Sequence, residues 1–231
     1  ISGGRKIMSY RNFTLDQDYY GLGYDMYKKD FITINSGLTV LSGCNGSGKT
    51  TLMHQIKEEL SKQNIPFISY NDVKNGRNDA MDVALNVNRD LKLLANLATS
   101  SEGEQLYQNV GTFAKKIGQA VRKCVLDNQK ELFIFLDASD SGLSVDRVLE
   151  LKDFTTMVID DAKKSHIDCY FVMSANEFEL CKGECFSLPD MEYKHYDDYE
   201  SWKDSIIASR EYKRNVSIKK QNKNLDFERD I

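Results

Sequence analysis

Residues 38–51 read Leu-Thr-Val-Leu-Ser-Gly-Cys-Asn-Gly-Ser-Gly-Lys-Thr-Thr. Leu38–Leu41 is apolar and suits a buried strand. Gly43, Gly48, Lys49 and Thr50 then fill the phosphate-binding pattern G-x-x-x-x-G-K-T. Gly43, Gly46 and Gly48 allow backbone conformations closed to residues with a Cβ, so successive N–H groups can turn inward around phosphates. Lys49 supplies a cation for the β- and γ-phosphates, and the Thr50 hydroxyl is the expected Mg²⁺ ligand. An amphipathic helix predicted over Thr50–Gln63 turns its positive end toward the same anion.

Working outward, residues 7–15 and 31–41 read as strands leading to this loop. Between them, Tyr19, Tyr20, Tyr24 and Tyr27 form an aromatic cluster that suits either stacking on an adenine ring or a place in the core. Ile65–Tyr70 is a short apolar strand. Ala80–Leu97 carries Met81, Ala84, Leu85, Leu91 and Leu94 at helical spacing. Ser100-Ser101-Glu102-Gly103-Glu104-Gln105 breaks that pattern and opens a helix over about Glu102–Asp127.

Glu131–Asp137, Glu-Leu-Phe-Ile-Phe-Leu-Asp, is a continuous apolar run ending in an acid, as in a buried parallel strand that delivers a magnesium-binding carboxylate at its C-terminal edge. A helix over Ser144–Ser165, a strand over Asp168–Ser174 and a short strand near Phe186 complete the alternation. Strands alternating with helices predict an α/β fold with a mostly parallel sheet covered on both faces. Lys49, Thr50, Asp137 and Ser174 are expected to meet at the strands' C-terminal ends.

Composition sets the outer limits. With 231 residues, 41% hydrophobic and 29% charged, the chain can bury a full core. A net charge of −4 argues against a strongly basic nucleic-acid binder. No apolar run is long enough to span a bilayer, so direct membrane insertion is not expected. Residues 1–4, Ile-Ser-Gly-Gly, read as a cloning remnant. Five cysteines without a paired C-x-x-C framework, and no apolar leader, favour a reducing, cytoplasmic setting. Past Pro189 the composition turns acidic and Tyr-rich, with a helix predicted through about Tyr212. Residues 211–231 read as a mixed-charge, solvated tail. The division expected is therefore a nucleotide-binding domain over 5–190 and a C-terminal segment over 191–231.

Together these motifs resemble the ATP-binding-cassette ATPases. Gly43-Cys-Asn-Gly-Ser-Gly-Lys-Thr-Thr is similar to their G-x-N-G-x-G-K-[ST]-[ST] loop. Leu136-Asp137-Ala-Ser-Asp-Ser-Gly-Leu-Ser144 is similar to their L-D-E-P-x-S-G-L-D stretch, and Ser101-Glu-Gly103-Glu to a variant signature motif. The spelling is closer to soluble SMC- and RecF-type heads than to transporter subunits, and no coiled-coil arm is inserted. The resemblance implies a three-layer P-loop NTPase with a small helical subdomain. ATP would be bound by Gly43, Asn45, Gly46, Ser47, Gly48, Lys49, Thr50 and Thr51, and Mg²⁺ by Thr50 and Asp137. Ser101 and Gly103 would close a partner's site in a homodimer that acts on DNA or protein.

The departures are specific. Ala138 stands where the family has a catalytic glutamate, and it cannot accept a proton. Either Asp140 takes the base role beside Asp137, or hydrolysis is weak and ATP serves as a switch. Ser174-Ala175-Asn176 lacks the family's histidine, and Asn71 or Asp72 replaces its glutamine. Three alternatives remain open: a non-catalytic regulatory module, a transporter ATPase subunit, and a small P-loop kinase with Arg77 and Arg89 as its lid candidates.

Overall fold

The computed structural model describes residues 9–21, 25–71, 102–137, 144–188 and 190–229, with backbone alone for 71, 102–112 and 217–229. The order is β1 (Tyr10–Thr14), β2 (Phe31–Asn35), β3 (Gly37–Ser42), α1 (Lys49–Lys62), β4 (Phe67–Asn71), α2 (Glu102–Leu126) and β5 (Glu131–Asp137). Then come α3 (Val145–Lys164), β6 (Asp168–Ser174), α4 (Phe178–Cys181), β7 (Gly183–Ser187), β8 (Glu192–Tyr196) and α5 (Tyr199–Arg229). The predicted helix over 80–97 lies outside the described residues.

Six strands form the central sheet in the order β4-β5-β6-β3-β7-β8. Pairing is parallel from β4 through β7, while β8 runs antiparallel to β7. The expected α/β fold with a mostly parallel sheet is what the chain adopts. Alternation along β5 shows how the layers form. Leu132, Ile134 and Leu136 face a core shared with Phe113 and Ile117 of α2 and with Val148 and Leu151 of α3. Phe133 and Phe135 face the opposite core with Leu52, Met53, Ile56 and Leu60 of α1. A strand covered on both faces has no polar side, hence its unbroken apolar spelling. Each α1 leucine or isoleucine removed from water here contributes about 1.5–3 kcal/mol.

The single strand expected over 31–41 is two strands. β2 pairs antiparallel with β1 in a separate two-stranded sheet, and the chain then crosses into the central sheet at Ser36–Gly37. Gly37 has φ +111°, and a side chain there would resist the crossing. The smaller sheet sends Phe13, Ile32 and Ile34 into the α1-side core. It is tied to the head of β5 by Arg11, whose Nε donates to Glu131 Oε1 at 2.8 Å.

The expected division after residue 190 falls inside the packing. β7 and β8 pair from Gly183↔Tyr196 to Ser187↔Glu192. Tyr196 and Trp202 lie in the same core as β5 and β6. Within the acidic, Tyr-rich stretch Tyr196 is buried and Tyr193 half-buried, whereas Tyr199 is exposed, a division that a composition average hides.

Candidate functional site

Between β3 and α1 the chain makes a tight loop at the C-terminal edge of the sheet. Ser47 N–H donates to Cys44 O at 3.1 Å, and Gly48 enters the helix with φ +98°. A Cβ on Gly48 would lie 2.9 Å from both Cε1 and OH of Tyr27, so conformation and space both select glycine. Tyr27 is buried, and its hydroxyl donates to Gly48 O at 2.9 Å. Burial raises its pKa well above the usual tyrosine value, so this phenol stays neutral.

Lys49 is buried, and its ammonium donates to Gly43 O at 2.6 Å and Cys44 O at 3.3 Å. It therefore sits inside the curve of the loop. Ser47 Oγ is buried without a hydrogen-bond partner, the kind of orphan that a phosphate oxygen or an ordered water satisfies. That atom lies 2.6 Å from where a Cβ on Gly43 would stand. At φ +157° the backbone and this closeness to Ser47 both favour glycine.

β6 lies between β3 and β5, so three strand ends converge. Asp137 ends β5 and is 6% exposed. Ser174 ends β6, and its hydroxyl donates to Asp137 Oδ1 at 2.7 Å in a buried bond. One cleft of about 360 Å³ is lined by Asn45, Gly46, Gly48, Lys49, Thr50, Thr51, Asp137, Ser174 and Asn176, with Tyr20 and Met26 on the outer wall. Its size is that of a small-molecule site.

That outer wall is fixed from α1. Gln55 Nε2 donates to Asp16 O at 3.0 Å, and Gln55 Oε1 accepts the Asp16 N–H at 2.7 Å. Gln17 Oε1 accepts the Tyr27 N–H at 2.8 Å. The aromatic cluster divides accordingly. Tyr27 is core under the loop, whereas Tyr20 is 56% exposed at the cleft, its hydroxyl 3.3 Å from Thr51 Oγ1. Among the described residues, Tyr20 is the tyrosine of this cluster that lines the cleft.

Thr50 and Asp137 flank the cleft floor, a hydroxyl and a buried carboxylate of the hard-oxygen type that Mg²⁺ takes. Among the described residues no group of three or more His, Cys, Asp or Glu could hold a metal ion. A Mg²⁺ here would lean on these two oxygens with phosphate oxygens and water, as this cation ordinarily does. Its chemistry would be neutralisation of phosphate charge.

Ala138, Asp140 and the Ser141-Gly142-Leu143 stretch lie outside the described residues, as do Ser101 and Asp72. Gly103 falls in the first turn of α2. Three residues at the loop carried no signal in the sequence. Trp202, Ser209 and Lys213 of α5 reach it from about 160 residues away: Trp202 Nε1 donates to Ser42 Oγ at 3.0 Å, and Ser209 Oγ accepts the Cys44 N–H at 3.1 Å. Lys213 Nζ donates to Asn45 O at 3.2 Å.

The family profile described as AAA domain matches residues 33–179. The chain belongs to the AAA domain family. The match runs from β2 into α4 and contains the loop, Asp137 and Ser174, so this AAA domain is a P-loop NTPase unit. That class of domain binds nucleotide, usually with Mg²⁺. No curated protein matches the chain. The resemblance to ATP-binding-cassette heads is finer than the family shown. No helix among the described residues is long and apolar enough to cross a membrane.

Proposed function

We propose that this AAA domain is an ATP-controlled switch that binds Mg-ATP firmly, hydrolyses it slowly and acts on a DNA or protein partner. The observation that carries this reading is the cleft. One cation (Lys49), one hydroxyl (Thr50) and one buried carboxylate (Asp137) meet at a glycine-lined loop, while the residue after that carboxylate is Ala138. Binding needs only the first set. Turnover needs a group that takes a proton from water, which alanine lacks.

In this reading the phosphates lie along the loop, Lys49 leaves the Gly43 and Cys44 carbonyls for phosphate oxygens, and Ser174 keeps Asp137 aimed at the metal position. Two copies associate around the nucleotide, each loop facing the Ser101–Gly103 segment of the other. The resemblance to ATP-binding-cassette heads supports that arrangement.

The test measures nucleotide affinity, molecular mass with and without Mg-ATP, and phosphate release, for the parent chain and for Ala138→Glu. Firm binding, ATP-dependent doubling of mass and turnover that rises in the variant support the switch. A chain that stays monomeric with saturating Mg-ATP overturns the paired arrangement. Rapid turnover by the parent overturns the slow-hydrolysis reading.

A further inference from the structure

The loop is held from its outer side by the C-terminal helix. Trp202, Ser209 and Lys213 are spaced by seven and four residues, which places them on one face of α5. They meet Ser42, Cys44 and Asn45 in the same order along the chain. Ser209 is 2% exposed, and its oxygen accepts the Cys44 N–H, so that donor is engaged by α5. Lys213 acts on the Asn45–Gly46 peptide in the opposite sense. Its ammonium bonds the Asn45 carbonyl, and in a trans peptide the Gly46 N–H then points away from Lys213. Gly46 itself lines the cleft, so the peptide that Lys213 holds is part of the cleft wall. A cation on a carbonyl also polarises its peptide and strengthens the N–H at the far end. The same helix touches the outer wall, with Lys28 Nζ 5.3 Å from the Tyr212 ring centre.

We infer that α5 is a brace that sets the phosphate loop in its anion-binding conformation, with Ser209 and Lys213 as positioning residues, so that nucleotide binding and docking of the C-terminal helix are coupled. This rests on the nucleotide-binding reading above. Coupling is reciprocal: whatever loosens α5 weakens nucleotide binding, and nucleotide tightens α5. Because α5 continues to Arg229, a partner that grips its distal part would be felt at the loop.

The experiment uses the full chain with Mg-ATP and Mg-ADP as probes. Ser209→Ala and Lys213→Met are each expected to weaken both nucleotides about three- to tenfold, with Lys213→Arg restoring most of the loss. In the parent, nucleotide is expected to slow amide hydrogen exchange over residues 205–216, and less so in Lys213→Met. The exchange measurement on the parent needs no variant to fold. Lys49→Ala separates the two readings. If it keeps full affinity, the phosphate-loop reading itself fails. If it abolishes binding while Ser209→Ala and Lys213→Met bind as the parent does, or if α5 exchange ignores nucleotide, the brace is overturned.

Discussion

The Ser174 hydroxyl donates to Asp137 Oδ1 across 2.7 Å, joining the ends of β6 and β5 beneath the cleft. Their meeting depends on β6 being the strand inserted between β3 and β5. The bond is buried, so it fixes the rotamer of Asp137, the carboxylate proposed to hold Mg²⁺, and on that proposal the loss of the hydroxyl should be felt mainly when the metal is present.

Ser174→Ala is therefore expected to destabilise the fold by about 1–2 kcal/mol and to weaken Mg-dependent nucleotide binding several-fold, with little effect on binding in chelator. Titrations with and without Mg²⁺ check this. An equal loss in both conditions contradicts a role through Asp137.

Gly48→Ala meets two obstacles, a left-handed φ and the buried Tyr27 ring. Gly183 also has positive φ (+91°), but a Cβ there meets nothing within 4 Å. Gly183→Ala should cost about 1 kcal/mol, and Gly48→Ala should cost more by a further 1–3 kcal/mol and lose nucleotide binding. Denaturant unfolding compares them. Equal costs would show that Tyr27 does not limit the position.

Asp190 gives a pH dependence with a definite sign. Burial pushes its carboxyl up, but bonds from Lys194, Ser187 and Lys28 outweigh this and hold it below the ordinary carboxylate value. A lowered folded-state pKa stabilises the fold above the unfolded value of about 4, and the effect fades as pH falls through the folded value. Asp190→Asn should then cost up to about 1 kcal/mol at pH 7 and much less near pH 3. Urea unfolding at both pH values tests it, and a cost independent of pH would assign the effect to packing.

All five cysteines are buried free thiols. Burial pushes Cys169 up to about 12 and also raises Cys124, while a bond with Cys181 and then burial raise Cys185. At pH 8 a thiol-specific disulfide reagent should react over hours with the folded chain and at once with the unfolded one. Rapid labelling of the folded protein would contradict the packing of the core that holds Cys124, Cys169, Cys181 and Cys185.

Residues 38–51 and 131–137 made the α/β fold legible without coordinates. A buried parallel strand must be apolar throughout, and a loop that curls around an anion must carry glycine at fixed offsets. Both constraints are local, so they show in spelling. Lys49, Thr50 and Asp137 were legible for the same reason, each sitting at the end of such a strand or loop. The crossing at Ser36–Gly37 was hidden because β2 and β3 are equally apolar on either side of it. Tyr27 and Tyr20 could not be told apart by composition, since their burial depends on the wall built by Gln17 and Gln55.

The sequence by itself determined the strand–loop–helix unit, the acid at the end of β5 and the absence of a glutamate after it. Only the tertiary structure showed that β8 pairs with β7, that Trp202 of α5 packs in the core of β5 and β6, and that Ser209 and Lys213 bond the loop. Those loop contacts span more than 160 residues and use ordinary side chains on a helix of unremarkable spelling. A hydrogen bond between distant segments leaves no periodicity in either, so it exists only once the sheet has brought Ser42–Asn45 and α5 together.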